Sequence, residues 1–352
     1  MKMLLGLSEA LPHLVEAKFR SAKAAQSLIF SHTELTLIRA SEGVPFQLRY
    51  CPALASKPDP KKDEGRNSAP PAKKPDPFDE PPHDLLIAHI PSTNPSHLLV
   101  LNKFPVIPEH FILATRANKQ QTHALEQDDL EATYACLQAW QSGEAHGNKR
   151  LFAFFNSGEH SGASQPHRHL QFLPVERMKA NDTPDGWDPL IDLLSDTQSV
   201  VSKDTSSRLL QHPAIPFTHY ALSFPSAPSG AQLHDAYNSL YEAAKEAVVD
   251  YIAAKSDDLT LHATEGGSLP ISYNLAMTTT SMAICPRRSG GFMLQRDDGT
   301  DIGHVEVNGT VLGGTLMVSN SELWDILQSE PERLRAILKA IGIPRDTRPQ
   351  AV

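Results

Sequence analysis

The chain has 352 residues, 40% of them hydrophobic and 21% charged, enough to bury a sizeable core and, at roughly 100–200 residues per domain, to form two domains. Thirty-two basic against forty-one acidic side chains leave a net charge of −9, which argues against nucleic-acid binding while leaving room for a local phosphate pocket. Three scattered cysteines (Cys51, Cys136, Cys285), with no Cys-x-x-Cys pair, exclude a disulfide framework and a cysteine-rich zinc module; they fit a reducing compartment, cytoplasmic or also nuclear. In chain order, Met3–Leu7 is apolar, but Glu9 and Pro12 break the run before a signal-peptide core of about 7–15 residues forms. Leu11, Leu14, Val15 and Phe19 have the spacing of an amphipathic helix. Thr33–Ile38 and Phe46–Cys51 alternate around Ser41-Glu-Gly43 and predict a β-hairpin. From 56 to 83 the chain turns rich in proline and charge, too polar to offset its ordering entropy, and predicts a mobile surface loop inserted into the first domain.

Strand patterns resume at Leu85–Ile90, Leu98–Leu101 and Phe111–Thr115. Leu130, Tyr134, Leu137 and Trp140 mark one face of a helix, and Leu151–Phe155 and His167–Leu173 are further strands. A polar stretch from Pro174 towards residue 210 holds the domain boundary, so that domains of 1–200 and 201–352 are expected. In the second part Phe217–Phe224, Ile271–Met277 and Met282–Pro286 read as strands, Gln232–Ala254 as a long helix, and two short helices follow Ser321. The strand–turn–strand piece beginning Ser-Tyr-Asn-Leu echoes the one beginning Leu-Leu-Val-Leu-Asn-Lys, which suggests two related α+β units. No uninterrupted apolar stretch approaches the roughly 20 residues that span a bilayer, so no membrane partner is expected.

The chemistry concentrates in Asn156-Ser-Gly-Glu-His-Ser-Gly-Ala-Ser-Gln-Pro-His-Arg-His-Leu-Gln171. On an extended strand His167, His169 and Gln171 point to one face. The glycines and serines ahead of them let backbone N–H groups and hydroxyls approach a ligand, and donors facing a row of imidazoles suit a phosphate. A neutral imidazole is a competent nucleophile near neutral pH. The blander readings are a polar surface or a zinc site; zinc wants more ligands, and only His160 lies near in sequence.

Gln-Pro-His-Arg-His-Leu-Gln behind Asn-Ser-Gly…Ser-Gly-Ala-Ser resembles the active-site motif of the histidine-triad superfamily, in the branch with glutamine at the third triad position. Within it, Gly-Ala-Ser-Gln-Pro-His-x-His-Leu-Gln is similar to the fungal-type diadenosine tetraphosphate (Ap4A) phosphorylases, or ATP adenylyltransferases. The runs Leu-Arg-Tyr-Cys-Pro-Ala-Leu, Leu-Asn-Lys-Phe-Pro-Val-Ile-Pro-Glu-His-Phe-Ile-Leu-Ala-Thr-Arg, Ser-Tyr-Asn-Leu and Val-Asn-Gly-Thr match as well, so the likeness covers nearly the whole chain. It implies an α+β fold, a GalT-like antiparallel sheet flanked by helices. It also implies a two-step reaction: His169 attacks the α-phosphorus of Ap4A, ATP leaves, and inorganic phosphate then takes the adenylyl group as ADP. His167 would shape the site and Gln171 contact the phosphoryl group. Gln171 cannot act as a general acid, which suits weakly basic polyphosphate leaving groups and leaves water unactivated.

Carried over residue by residue, substrate binding would fall to Asn102, Lys103, Asn156, Ser157, Gly162, Ala163, Ser164, Gln165 and Gln171. Lys57 is the nearest match to a family lysine, and Asn274, Met277 and Thr278 would reach the other nucleoside. Core packing is the alternative for Met277, and Arg287 and Arg288 either pair with phosphates or end a strand at the surface. A divalent cation, Mg2+, would ride on the substrate polyphosphate, with no metal held by the protein. The enzyme would act as a monomer. Competing readings are sulfate or phosphate exchange on adenylylated substrates, another nucleotidyl transfer, and a non-catalytic dinucleotide-binding protein.

Overall fold

A computed structural model of the chain describes residues 5–40, 43–56, 75–141, 149–179, 186–196, 201–202, 209–255 and 259–345. Helix α1 (Leu11–Ala24) starts with a proline in its first turn and buries Leu11, Val15 and Ala22. The predicted hairpin follows as antiparallel strands β1 (Glu34–Arg39) and β2 (Pro45–Tyr50). Then come β3 (Leu86–Ile90), β4 (His97–Leu101), β5 (Phe111–Thr115), α2 (Gln127–Gln141), β6 (Leu151–Ser157), β7 (His169–Pro174), and the short helices α3 (Val175–Met178) and α4 (Leu190–Ser195). After β8 (Val201–Ser202) and β9 (Leu210–Gln211), the second half brings β10 (Tyr220–Ser223), α5 (Gly230–Ala254), β11 (Ser272–Met277) and β12 (Ser281–Arg287). A hairpin of β13 (Gly291–Gln295) and β14 (Asp301–Glu306), a 3-10 turn at Gly309–Gly313, β15 (Thr315–Val318), α6 (Ser321–Ser329) and α7 (Arg333–Ile341) complete it. Ser229 and Gln232 form a reciprocal capping box that starts α5.

Ten strands make one antiparallel sheet in the order β3-β4-β5-β7-β6-β11-β12-β10-β9-β8. Helices α1, α2 and α5 cover one face, where Leu130, Trp140, Tyr237 and Leu240 join Leu113, Phe155, Phe172 and Leu275 in a core. The other face carries Phe152, Phe154, Leu173 and Ala276 and is covered by β2, β15 and the 3-10 turn through Phe46, Leu48, Leu312 and Leu316. With both faces covered, β4, β5, β6, β11 and β12 are buried along their whole length, which is why they read as unbroken apolar runs rather than alternating ones.

The internal repeat is present, though not between the segments whose sequences echo. β5–α2–β6–β7 and β10–α5–β11–β12 have the same order and the same sheet neighbours, β5-β7-β6 facing β10-β12-β11 across the β6–β11 pair. β11–β12 therefore correspond to β6–β7, whereas the echo matched them to β4–β5. Two further expectations change. The β7 prediction holds as strand from His169 onward, but His167 lies ahead of it in a single bridge to Gln120. The end of the proline-rich insertion does not stay at the surface as a loop: Phe78 is 5% exposed and packs into the main core. Residues 57–74 lie outside the described residues, and Lys57 with them.

Candidate active site

His169 and Gln171 project from β7 on the face opposite the three helices. Gln171 pairs across to Phe154, Phe154 to Ala276 and Ala276 to Ala283, so these four residues lie in one row on one face. Arg168, between His167 and His169, points the other way. Its guanidinium is buried, 2.8 Å from Asp129 Oδ2 and 2.9 Å from Glu126 Oε1, and His97 closes the network 2.9 Å from Asp129 Oδ1. Burial pushes the Asp129 carboxyl up, but the bonds from His97 and Arg168 outweigh it and hold it low. This pair ties the start of β7 to the start of α2.

At His169 the β6–β7 ladder opens, and the Gln121 side chain fills the gap. Its Oε1 accepts the His169 N–H at 2.7 Å, while its Nε2 donates to the carbonyls of Asn156 (2.8 Å) and His169 (3.2 Å). An amide thus replaces a peptide unit where the strands part. The His169 ring is buried, and its Nδ1 lies 2.8 Å from the His167 carbonyl. A carbonyl only accepts, so Nδ1 carries the hydrogen and Nε2 keeps its lone pair. Burial is the main cause that lowers the ring's pKa to about 4, so it is neutral at pH 7.

A second relay orients Gln171. His110 Nε2 lies 3.0 Å from Gln171 Oε1, and His110 Nδ1 lies 3.1 Å from Asn102 Nδ2. Gln171 Oε1 can only accept and Asn102 Nδ2 can only donate, so His110 is protonated on Nε2. With its oxygen occupied by His110, Gln171 has only its NH2 donors to offer a ligand. His167 is held at both nitrogens: Nδ1 is 2.7 Å from Asp76 Oδ2, and Nε2 is 2.7 Å from the Thr115 carbonyl. No nitrogen of His167 is left for a metal, and among the described residues no group of three or more His, Cys, Asp or Glu is placed to hold one. Phe78 covers both rings, with centroids 5.1 Å from His169 and 5.5 Å from His167.

The glycine- and serine-rich loop is clamped by the second half of the chain. Gly158 and Gly162 adopt left-handed φ angles, and a Cβ there would strike Ser272 and Asn308 respectively. Ser272 Oγ accepts the His160 N–H, and Asn274 Nδ2 donates to the Ser161 carbonyl at 2.8 Å. Asn156, on the His169 face, accepts at Oδ1 from Gly309 N (2.8 Å) and Asn274 Nδ2 (2.9 Å); its Nδ2 is buried with no partner among the described residues. Gly162, Ala163 and Ser164 are exposed at the rim and Gln165 is half-buried.

Several expected ligands stand elsewhere. Ser157 alternates to the helix-covered face, opposite Tyr273. Met277 is a core residue of that same face. Thr278 sits in the β11–β12 turn, bonded to Thr280 and Ser281, at the far end of β11 from Asn274. Lys103 is exposed beside Phe104 at the loop after β4. Arg287 does not end its strand at the surface: it is 1% exposed and donates to Asn274 Oδ1 and to the carbonyls of Ile341, Ser289 and Val307. Arg288 donates to the Ala340 carbonyl and Tyr251 Oη. Both arginines pin the end of α7 rather than a phosphate. Asp76, Phe78, His110 and Gln121 are contributors that motif reading missed; His110 stood inside a matching run, but no local spacing marks the other three.

The model of the Ap4A phosphorylase N-terminal domain matches residues 3–190, and that of the ATP adenylyltransferase C-terminal domain matches residues 213–344. Among curated proteins, Protein APA1 of Saccharomyces cerevisiae is 29% identical over 339 residues, covering 94% of each chain. Diadenosine 5',5'''-P1,P4-tetraphosphate phosphorylase 2 of the same yeast is 26% identical over 347 residues, covering 96% of each. The crystal structure of yeast Ap4A phosphorylase Apa2 superposes with a TM-score of 0.73 at 24% identity over 96% of each chain; its complex with Ap4A gives 0.71. The fold is therefore that of Apa2, and the first-half model alone spans more than half of the sequence. This chain belongs to the Ap4A phosphorylase family of nucleotidyltransferases.

Proposed function

We propose that the protein cleaves Ap4A by phosphorolysis, releasing ATP and ADP through an adenylyl group carried on His169. The observation that carries this reading is the state of that ring: Nδ1–H tied to the His167 carbonyl and Nε2 left as the basic nitrogen of a neutral imidazole. Nε2 attacks the α-phosphorus of one adenosine, the bond to the next bridging oxygen breaks, and ATP departs. The positive charge left on the ring is shared with the Nδ1–H bond. An oxygen of inorganic phosphate then attacks the adenylyl phosphorus, the N–P bond breaks, and ADP forms. Throughout, the amide of Gln171, turned by His110, offers donors to the phosphoryl oxygens, and the orphaned Asn156 Nδ2 gains an acceptor. Gln171 supplies no base for water, which favours transfer to phosphate over hydrolysis.

Among the described residues no group of three or more His, Cys, Asp or Glu is placed to hold the divalent cation. Asp76 is committed to His167 and Asn118, and Glu109 to Arg177. Mg2+ would be carried by the phosphates of the substrate and by water. The test is incubation with labelled Ap4A, with and without phosphate. ATP and ADP should appear together only with phosphate, and a quenched sample lacking phosphate should hold AMP on His169. The His169→Ala variant should form no adduct and turn over nothing. Cleavage at equal rate without phosphate would remove the transferase reading, and binding without any cleavage would leave only a dinucleotide-binding protein.

A further inference from the structure

Pro75–Phe78 lie near the end of the proline- and charge-rich run that reads as a surface loop, yet they deliver a carboxylate to the first triad histidine. Asp76 Oδ2 accepts from His167 Nδ1 at 2.7 Å and from Asn118 Nδ2 at 2.9 Å, while Oδ1 accepts the main-chain N–H of Phe78 at 2.9 Å. On the other edge of the ring, Nε2 lies 2.7 Å from the Thr115 carbonyl and 3.1 Å from the Thr115 hydroxyl. That hydroxyl spends its own hydrogen on the Ala117 carbonyl at 2.8 Å. An ionised carboxylate and a carbonyl only accept, so both nitrogens of His167 must donate. The ring is then an imidazolium, 1% exposed, and Asp76 is the counter-charge such a buried cation requires.

We propose that Asp76 is a positioning residue of this reaction: it holds His167 as a doubly protonated ring and, through His167, the carbonyl that orients the attacking ring of His169. A ring anchored at both nitrogens cannot swing, and its main-chain oxygen is the one that fixes His169 Nδ1 at 2.8 Å. Adenylylation places a positive charge on His169, and with Asp76 present the neighbouring His167 carries a compensated charge that does not oppose it. The same carboxylate, through the N–H of Phe78, sets the phenyl ring over His169. Asp76 touches the reacting atoms nowhere. Its loss should therefore slow the chemical step and leave substrate affinity almost intact.

This inference deepens the adenylyl-transfer reading and rests on it, so the test has an arm that needs no substrate. In the resting full-length enzyme labelled at histidine, both ring nitrogens of His167 should show 15N shifts of protonated nitrogen. In Asp76→Asn one of them should move to the unprotonated range. In rapid-quench experiments Asp76→Ala and Asp76→Asn should form the AMP adduct on the order of ten- to a hundredfold more slowly, with the KM for Ap4A within about twofold. Should Asp76→Ala melt the protein, the isosteric Asp76→Asn carries the comparison. An unprotonated nitrogen on wild-type His167, or adduct formation by Asp76→Asn at the wild-type rate, overturns the proposal. An absent adduct in the wild type sinks the transfer reading and its kinetic arm, while the resting spectrum still decides the Asp76–His167 pair.

Discussion

His169 sets the acid limit of the reaction. Only its neutral form attacks, and burial lowers its pKa from the ordinary histidine value to about 4. The acid limb of kcat/KM should therefore fall near pH 4 rather than near pH 6.5. Phe78→Ala, which rehydrates the ring, should move that limb upward by one unit or more; an unmoved limb would show that Phe78 does not keep water from His169. His110→Phe removes the proton that fixes Gln171 Oε1, and the amide then turns freely. We expect kcat to fall on the order of a hundredfold with a smaller change in KM, measured by steady-state assay. His169 and Gln171 were legible in the sequence because strand alternation is a local rule, and His167, ahead of the strand, was legible from the His-x-His motif. Asp76, His110 and Gln121 lie 91, 61 and 48 residues from the groups they hold, so only the folded sheet brings them together.

Among elements, the 3-10 turn at Gly309–Gly313 bears most directly on the site. A Cβ at Gly309 would stand 2.6 Å from Phe154 and 2.7 Å from Asn156 Oδ1. Gly309→Ala should displace Asn156, cost about 1–3 kcal/mol by thermal melting, and raise KM. Arg168→Met leaves Asp129 buried with His97 as its remaining side-chain partner, and should cost about 3 kcal/mol. The strands flanking the site were readable as apolar runs, and α5 as a long helix. The β13–β14 hairpin and β15 were not: β13 and β14 mix exposed and buried positions in short irregular runs. β15 is defined by its parallel pairing with β2, some 268 residues away, as in Thr315 with Gln47. That pairing closes the N-terminal hairpin against the end of the chain and is invisible to any local window.

At the scale of the whole molecule, the β6–β11 pair makes the two halves one sheet. Calorimetry should show a single cooperative transition, and two resolved peaks would count against this. Acid should weaken the fold. Burial lowers the pKa of His169 to about 4 and that of His219 to about 3, whereas both titrate near the ordinary value of about 6.5 when unfolded. The stability from keeping them neutral is complete above about pH 6.5 and is lost as pH falls towards those lower values, so Tm should drop steadily over that window.

The strand of the second half that corresponds to β7 carries Ser281, Ala283 and Cys285 on the matching face, with no imidazole and no carboxamide among them. The duplicated scaffold thus carries the His-x-Gln row on one of its two corresponding strands. In a titration of quenched enzyme, the labelled burst should plateau at a single AMP equivalent per polypeptide, however much dinucleotide is added.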